Sequence, residues 1–155
     1  MAEYEELEQS IDIAATPAQV WALVSDVPAM ARWSPQVVRS TVKGGVVKQG
    51  ATIKNLNRKG PLFWPTSSKV VRFEPHRDFA LRIKENRTIW SFQLEENAAG
   101  GTTLTQRREL PQGVSAVSIV LTKTILGGVD GFTQHLKDGM QETLAKIKAE
   151  AEASA

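Results

Sequence analysis

The sequence contains no cysteine and only two histidines, His76 and His135. The absence of thiols excludes a disulfide framework, a cysteine nucleophile and a cysteine-ligated zinc or iron–sulfur site. The two histidines lie in different segments of the chain, so we expect neither a metal site built from side chains nor a Ser-His-Asp centre. The sequence therefore predicts no metal and no cofactor.

Long apolar runs are missing as well. No stretch approaches the roughly 18 consecutive apolar residues that a transmembrane helix needs. The N-terminal sequence MAEYEELEQS is acidic, whereas a secretory signal is basic and then apolar. We therefore expect a cytoplasmic protein without stable membrane insertion.

The composition is typical of a globular protein, with 41% hydrophobic and 23% charged residues in a chain of 155. This length predicts one domain over residues 1–155, large enough to bury a core and still enclose a cavity. The net charge of +2 hides an excess of eleven basic over three acidic side chains in residues 43–90. Such a segment attracts nucleic acid or anionic lipid, or else forms the solvated face of a sheet. We favour the sheet face, and the sequence leaves the oligomeric state open.

The N-terminal segment predicts a strand followed by a helix. In EELEQSIDIA, residues 7–13 alternate between apolar and polar side chains, as in a half-buried strand. The sequence Thr16-Pro17-Ala18-Gln19 then combines an N-cap threonine, a proline at the first helical position and a glutamine at the third. This combination is a capping box, so a helix is predicted to begin at Pro17.

A second short helix is predicted through PAMARW, with Asp26 as its cap and Ser34-Pro35 as its end. Neither helix is long enough to be stable alone, so both must pack on other elements. We expect the pair to form a lid over the open end of a sheet. The side chains expected to face that open end are Trp21, Met30 and Trp33.

The middle of the chain is typical of strands joined by tight turns. The six predicted strands are residues 37–42, 51–58, 66–74, 78–84, 88–95 and 102–110. The short connections are rich in glycine, proline and asparagine, which indicates an antiparallel meander. Val70 and Val71 face opposite sides of their strand, which favours a bulge nearby.

The last third predicts a long amphipathic helix. Its apolar stripe consists of Phe132, Leu136, Met140, Leu144 and Ile147. The preceding sequence SAVSIVLTKTIL fits a helix or a strand, and a kink or break is predicted at Gly127, Gly128 and Gly131. Such a kink could gate a cavity or serve packing alone. The whole order predicts an α+β fold in which a curved seven-stranded antiparallel sheet wraps around one long helix.

Several stretches carry a resemblance to a known superfamily. They are IDIAATPAQVWALVSDVPAMARWSP, KGPLFWPTSSKVVRFEPHRDFALRI, WSFQLEENAAGGTTLTQRRELP and GMQETLAKIKAEAE. Together they span nearly the whole chain, which resembles the helix-grip superfamily of START domains, Bet v 1 allergens and polyketide cyclase/dehydrase-like proteins. It is most similar to the small bacterial members of the cyclase/dehydrase branch. The resemblance implies a helix-grip fold and an apolar cavity large enough for a lipid, a polyketide or an isoprenoid-like molecule.

The candidate polar site lies on the last and first strands. Gln106 and Arg108 share one face of the last strand with Leu104, and the first strand adds Gln9 if these strands are neighbours. A buried guanidinium needs a partner. That partner could be the acidic head group of a ligand, or a carboxylate or carbonyl of the long helix. Alternatively, the arginine could reach solvent at the strand end.

Other candidates are open to two interpretations. Asn57, in NLNRKG, lies where similar proteins place a polar residue near the cavity mouth, but an asparagine just before Gly60 favours a turn. The aromatic side chains that fit either a cavity wall or a plain core are Trp64, Trp90 and Phe92. We expect His76, in the turn EPHRD, and His135, on the polar side of the last helix, to be exposed and without a catalytic role.

Three functions are compatible with these features. The favoured one is a carrier or sensor that binds a hydrophobic small molecule, with Gln106, Arg108 and Asn57 fixing its polar end. The second is a polyketide cyclase or dehydrase-type enzyme, because orientation and exclusion of water can accelerate such reactions. No catalytic residue is assigned for it. The third, which the resemblance to bacterial relatives implies, is a toxin–antitoxin or ribosome-associated protein. The basic middle third is the feature that favours it, and it predicts salt-sensitive RNA binding.

Overall fold

The computed structural model of the protein describes residues 6–34, 37–84, 87–110 and 129–154. Its sheet has seven antiparallel strands in the order β1-β7-β6-β5-β4-β3-β2. The strands are β1 (Leu7–Ile13), β2 (Val37–Val42), β3 (Thr52–Lys59), β4 (Leu62–Glu74), β5 (Asp78–Ile83), β6 (Ile89–Glu96) and β7 (Thr102–Glu109). The predicted α+β helix-grip architecture is confirmed, and β1 pairs with β7 as the polar-site prediction requires.

The described helices are α1 (Pro17–Val24), a 3-10 turn (Val27–Ala29), α2 (Met30–Trp33) and α3 (Val129–Ser154). The predicted capping box is present, because the Thr16 hydroxyl accepts from the Gln19 amide and the Gln19 side chain accepts from the Thr16 amide. Helix α3 continues through Gly131. The other predicted break residues, the apolar segment before them and the side chain of Phe132 lie outside the described residues. None of the described helices is both long and apolar enough to cross a membrane.

Strand β4 is four residues longer at its start than predicted, and it includes Pro65. Residues 62–67 pair with β3, whereas the pairing of β4 with β5 begins at Ser68. The missing N–H of Pro65 therefore falls on a locally unpaired side of the strand, where proline is tolerated. The predicted bulge is also confirmed, because the β4–β5 register shifts between Val70 and Arg72.

The core is divided into two clusters. The larger one joins the short helices to the sheet and to the C-terminal half of α3, and the smaller one contains Leu7, Leu136 and Met140 with Trp90 packed against them. The expectation that Trp21 and Trp33 face the open end was wrong. Trp33 is only 1% exposed, and the Trp21 ring makes edge contacts with Phe73 and Phe79 inside the larger cluster.

Candidate functional site

A cavity of about 110 Å³ lies between the inner face of the sheet and α3, with α2 at one side. Strand alternation explains its walls, because every second residue of β3 to β7 faces inward. The lining residues from the sheet are Val37, Asn55, Asn57, Thr66, Ser68, Phe79, Leu81, Ile83, Trp90, Phe92 and Gln106. The lining residues from the helices and the turn after α2 are Met30, Ser34, His135, Leu136, Gly139, Met140 and Thr143.

One wall of the cavity is polar and hydrogen-bonded. The Asn57 Nδ2 donates to Thr66 Oγ1 at 2.9 Å and to the Trp64 carbonyl at 3.3 Å. The Ser40 hydroxyl donates to Asn55 Oδ1 at 2.6 Å, which fixes a second amide on the same strand. The favoured turn role for Asn57 was wrong: this residue is buried within β3 and lines the cavity.

Gln106 supplies a polar group on the same inner face of the sheet, at the wall of the cavity across from Asn55 and Asn57. It lies on β7 between Gln9 and Phe92 in the strand register, and its side chain is 8% exposed. Among the described residues, no donor reaches the buried Gln106 Oε1. A buried acceptor without a donor costs about 1–3 kcal/mol, and Gln106 is a lining residue of the cavity, so its side-chain amide is the candidate polar contact on this side.

The structure brings four of the seven predicted site residues to the cavity, namely Asn57, Trp90, Phe92 and Gln106. The other three lie outside the described lining. The side chain of Gln9 accepts from Gln141 of α3 at 3.2 Å, and Trp64 lies toward the β3–β4 turn. Arg108 is buried beside Leu7 and Trp90 in the register, so the predicted polar cluster of three residues is not formed around the cavity.

His135 is a lining residue that the sequence interpretation missed. It was predicted to be exposed, but it is half-buried and faces the cavity one residue before Leu136. Burial lowers the pKa of its imidazole below 6.5, and the positive charge of Lys59 lowers it further. Its position next to the apolar stripe was the available signal. His76, as expected, is exposed in a turn.

The cavity is electrically neutral when His135 is uncharged. Among the described lining residues there is no aspartate, glutamate, lysine or arginine. The described residues also contain no group of three histidine, aspartate or glutamate side chains placed to hold a metal ion. The site can therefore offer apolar contact, amide and hydroxyl hydrogen bonds, and one imidazole.

These features define the class of a helix-grip α+β protein with an interior cavity beneath its long helix. The family model described as "Polyketide cyclase / dehydrase and lipid transport" matches residues 5–152, and the chain belongs to this family. The family and the fold support a role in binding a ligand or in cyclisation. A comparison with curated proteins gives no match.

Solved structures share the fold over nearly the whole chain. The Polyketide_cyc-like protein Cgl2372 from Corynebacterium glutamicum has a TM-score of 0.68 and 26% identity, covering 99% of this chain and 95% of that one. The di-domain ARO/CYC protein StfQ of the steffimycin biosynthetic pathway has a TM-score of 0.75 and 14% identity, covering 96% and 51%. Protein Ms6760 from Mycobacterium smegmatis has a TM-score of 0.67 and 14% identity, covering 97% and 92%.

Proposed function

We propose that the protein binds a neutral, largely hydrophobic small molecule in the cavity between the sheet and α3, as a carrier or sensor. The observation that carries this proposal is the Gln106 side-chain amide in the wall of a cavity that combines apolar side chains with the amides of Asn55 and Asn57. A few polar groups in an apolar cavity are the usual arrangement of small-molecule sites. The family description, which includes lipid transport, agrees with this role.

The chemistry of the lining indicates what the ligand carries. No cation among the described lining residues could pair with an acidic head group of a ligand. In place of the expected ion pair with Arg108, a hydroxyl group of the ligand would donate a hydrogen bond to Gln106. The amides of Asn55 and Asn57 face the same space from the far wall. A neutral molecule with a hydroxyl at one end therefore fits better than a carboxylate.

The cavity volume sets the size of the ligand. About 110 Å³ is below the 300–1,000 Å³ of typical drug-sized pockets and close to an apolar cavity of about 150 Å³ that binds benzene. A space of this volume accommodates one ring or a short chain. A lipid or multi-ring polyketide of the size that the sequence resemblance implied requires α3 or the α2 region to move away from the sheet.

A direct test uses ring-sized probes and measures their dissociation constants by NMR titration. Gln106→Leu removes the acceptor, so the preference for p-cresol over toluene should fall by about tenfold relative to the unmodified protein. Gln93→Leu is the matched control, since it makes the same change on the outer face of the neighbouring strand. Native mass spectrometry of protein from its own host, with organic extraction, identifies a natural occupant. Failure of both probes to bind, with no co-purifying molecule, would contradict the proposal.

The second candidate function is a polyketide cyclase or dehydrase-type reaction, and His135 is the observation that favours it. Its lowered pKa leaves the imidazole neutral at pH 7, so it could take a proton from a substrate held against the sheet. Turnover of a linear poly-β-ketone by catalytic amounts of protein, abolished in His135→Asn, distinguishes the enzyme from a carrier. A carrier binds such a compound without consuming it.

A further inference from the structure

The outer face of strands β2 to β5 concentrates positive charge. From residue 27 to residue 73 the chain contains nine lysines and arginines and no acidic residue. Six exposed cations, on strands β2 to β4 or just after the ends of β2 and β5, share the side of the sheet that faces away from the cavity. We call them the basic face, and they are Arg39, Lys43, Lys54, Arg58, Lys69 and Lys84.

The strand register shows that these cations are neighbours. Lys43 and Lys69 flank Thr52 on adjacent strands, and Lys54 is directly across from Ser67, whose carbonyl accepts from the Lys84 amide. With strands about 4.8 Å apart and a rise of about 3.4 Å per residue, the basic face spans roughly 14 by 20 Å. The ion pairs found in the described residues involve other cations, among them Arg32, Arg72 and Arg107.

Exposed apolar side chains lie at one end of the basic face. The Phe63 side chain is 51% exposed beside Arg58, whose guanidinium is 5.3 Å from the ring centre, and Val38 of β2 is 43% exposed. Both belong to the end of the sheet where the β3–β4 turn lies. An aromatic and an aliphatic side chain bordered by cations is the composition of a surface that enters the headgroup region of a bilayer.

We propose that the basic face docks on an anionic lipid bilayer, with Phe63 and Val38 entering the headgroup region. Cations distributed over a smooth sheet face match a diffuse layer of anionic headgroups. Single-stranded RNA, in contrast, is held by several aromatic side chains on which bases stack, whereas among the described residues of this face Phe63 is the one exposed aromatic side chain. The assignment rests on the charge and shape of the outer face and does not depend on the ligand of the cavity.

Docking in this orientation would bring the cavity close to the membrane. The same strands that carry the basic face carry Asn57, Thr66 and Ser68 on their inner side, so the cavity lies directly behind it. Lys59, at the β3–β4 turn, is near enough to α3 for its charge to lower the pKa of His135. Because the sheet separates the basic face from the cavity, an apolar ligand leaving the bilayer would pass around the β3–β4 end of the sheet, where Lys59 approaches α3.

The test is co-sedimentation of the 155-residue chain with vesicles of phosphatidylcholine containing 30% phosphatidylglycerol, compared with pure phosphatidylcholine. Binding is expected only to the anionic vesicles and should weaken steeply between 50 and 500 mM salt. Because each cation near such a surface contributes about fivefold, Lys54→Glu with Lys69→Glu should weaken binding by at least about 25-fold. Phe63→Ser should weaken it further by a salt-independent factor.

The matched control is Lys137→Glu with Lys146→Glu, which changes the net charge equally on α3 and should alter binding by less than about threefold. The proposal is overturned if the chain ignores anionic vesicles, if both double variants lose binding equally, or if only RNA is bound in a salt-sensitive way. Both double variants should keep p-cresol binding. Loss of vesicle binding with the cavity intact thus separates this proposal from the proposed function.

Discussion

Arg72 shows how one side chain on the outer side of the sheet organises its surroundings. The bulge in β4 places its guanidinium 2.7 Å from Asp78 and 2.6 Å from Glu109, and Ser91 donates to the same Glu109 carboxylate. The hydrogen bond from Arg72 holds the pKa of Glu109 below 4.5, whereas burial raises the pKa of Asp78 above 3.8 despite its ion pair. As the pH falls, ionised Glu109 therefore contributes stability that is lost, whereas protonation of Asp78 favours the folded state.

Glu109→Gln is expected to lower the free energy of unfolding at pH 7 by about 1–2 kcal/mol, since Arg72 loses one partner in a partly solvated site. Stabilisation by Glu109 is complete above pH 4.5 and is lost as the pH falls through its lowered folded pKa. The variant should therefore lose less stability than the unmodified protein between pH 5 and about pH 3. Urea unfolding at a series of pH values measures both effects.

The control for this prediction is Glu8→Gln. Glu8 also pairs with an arginine, Arg107 at 3.3 Å, but its side chain is 62% exposed. Its removal should change the free energy of unfolding by less than about 0.5 kcal/mol. Equal losses in the two variants would show that the Arg72 network does not stabilise the fold beyond an ordinary surface pair.

The positions of individual site residues were predicted less well from the sequence than the helices and strands were. Alternation along β7 correctly placed Gln106 and Arg108 on the buried face, because one buried neighbour on a strand fixes the rest. Alternation could not show that Gln106 lines the cavity whereas Arg108 does not. For Asn57 the turn interpretation was favoured over a ligand contact because of its distance from Gly60, whereas the tight turn after β3 begins two residues later.

At the level of elements, α1 depends on its capping box. The helix has only eight residues, too few to be stable in isolation, yet it places Val20, Trp21 and Val24 in the larger core cluster. The two reciprocal hydrogen bonds between Thr16 and Gln19 satisfy backbone and side-chain groups that would otherwise face solvent at the start of the helix.

Thr16→Ala is expected to lower the free energy of unfolding by about 1 kcal/mol, because the Gln19 amide loses its acceptor. Thr16→Ser keeps the hydroxyl and should recover most of the loss. Thermal unfolding followed by circular dichroism compares the two variants. If alanine and serine destabilise the protein equally, the methyl group rather than the cap is what matters at this position.

Elements were predicted well where the sequence contains explicit start and stop signals. The capping box gave the first residue of α1, alternation gave β1, and the short turns gave the other six strands to within about four residues. The largest error was the start of β4, which was predicted at residue 66 but lies at Leu62, so that the strand includes Pro65. That proline is accepted because β5 ends before reaching it, and this depends on the length of a different strand.

At the level of the whole molecule, the cavity separates the two core clusters. Leu136, Met140 and Trp90 lie on one side of it, and the large cluster around Phe79 and Ile147 lies on the other. Both groups pack against α3. The helix therefore spans the cavity between them, and this space is not filled by side chains. An unfilled space lowers the free energy of unfolding, and it leaves room for a ligand.

Thr143→Leu is expected to raise the stability of the protein and to weaken ligand binding. Thr143 is buried in the cavity wall, and its hydroxyl donates to the Gly139 carbonyl of its own helix. Leucine has the higher helix propensity and would fill part of the cavity, so the free energy of unfolding should rise by about 0.5–2 kcal/mol. The affinity for p-cresol should fall at least tenfold. Lower stability with unchanged binding would show that the side chain at this position points away from the space.

The pairing of β1 with β7 also has a consequence for how the chain folds. Ile13 lies opposite Thr102, so completing the sheet brings together segments that are 89 residues apart in the sequence. Contacts so distant in sequence slow folding, because the entropy of closing the loop is lost before the strands can pair. During synthesis, β1 emerges first and has no partner until β7 has been made. We therefore expect β1 to be among the last strands of this sheet to pair.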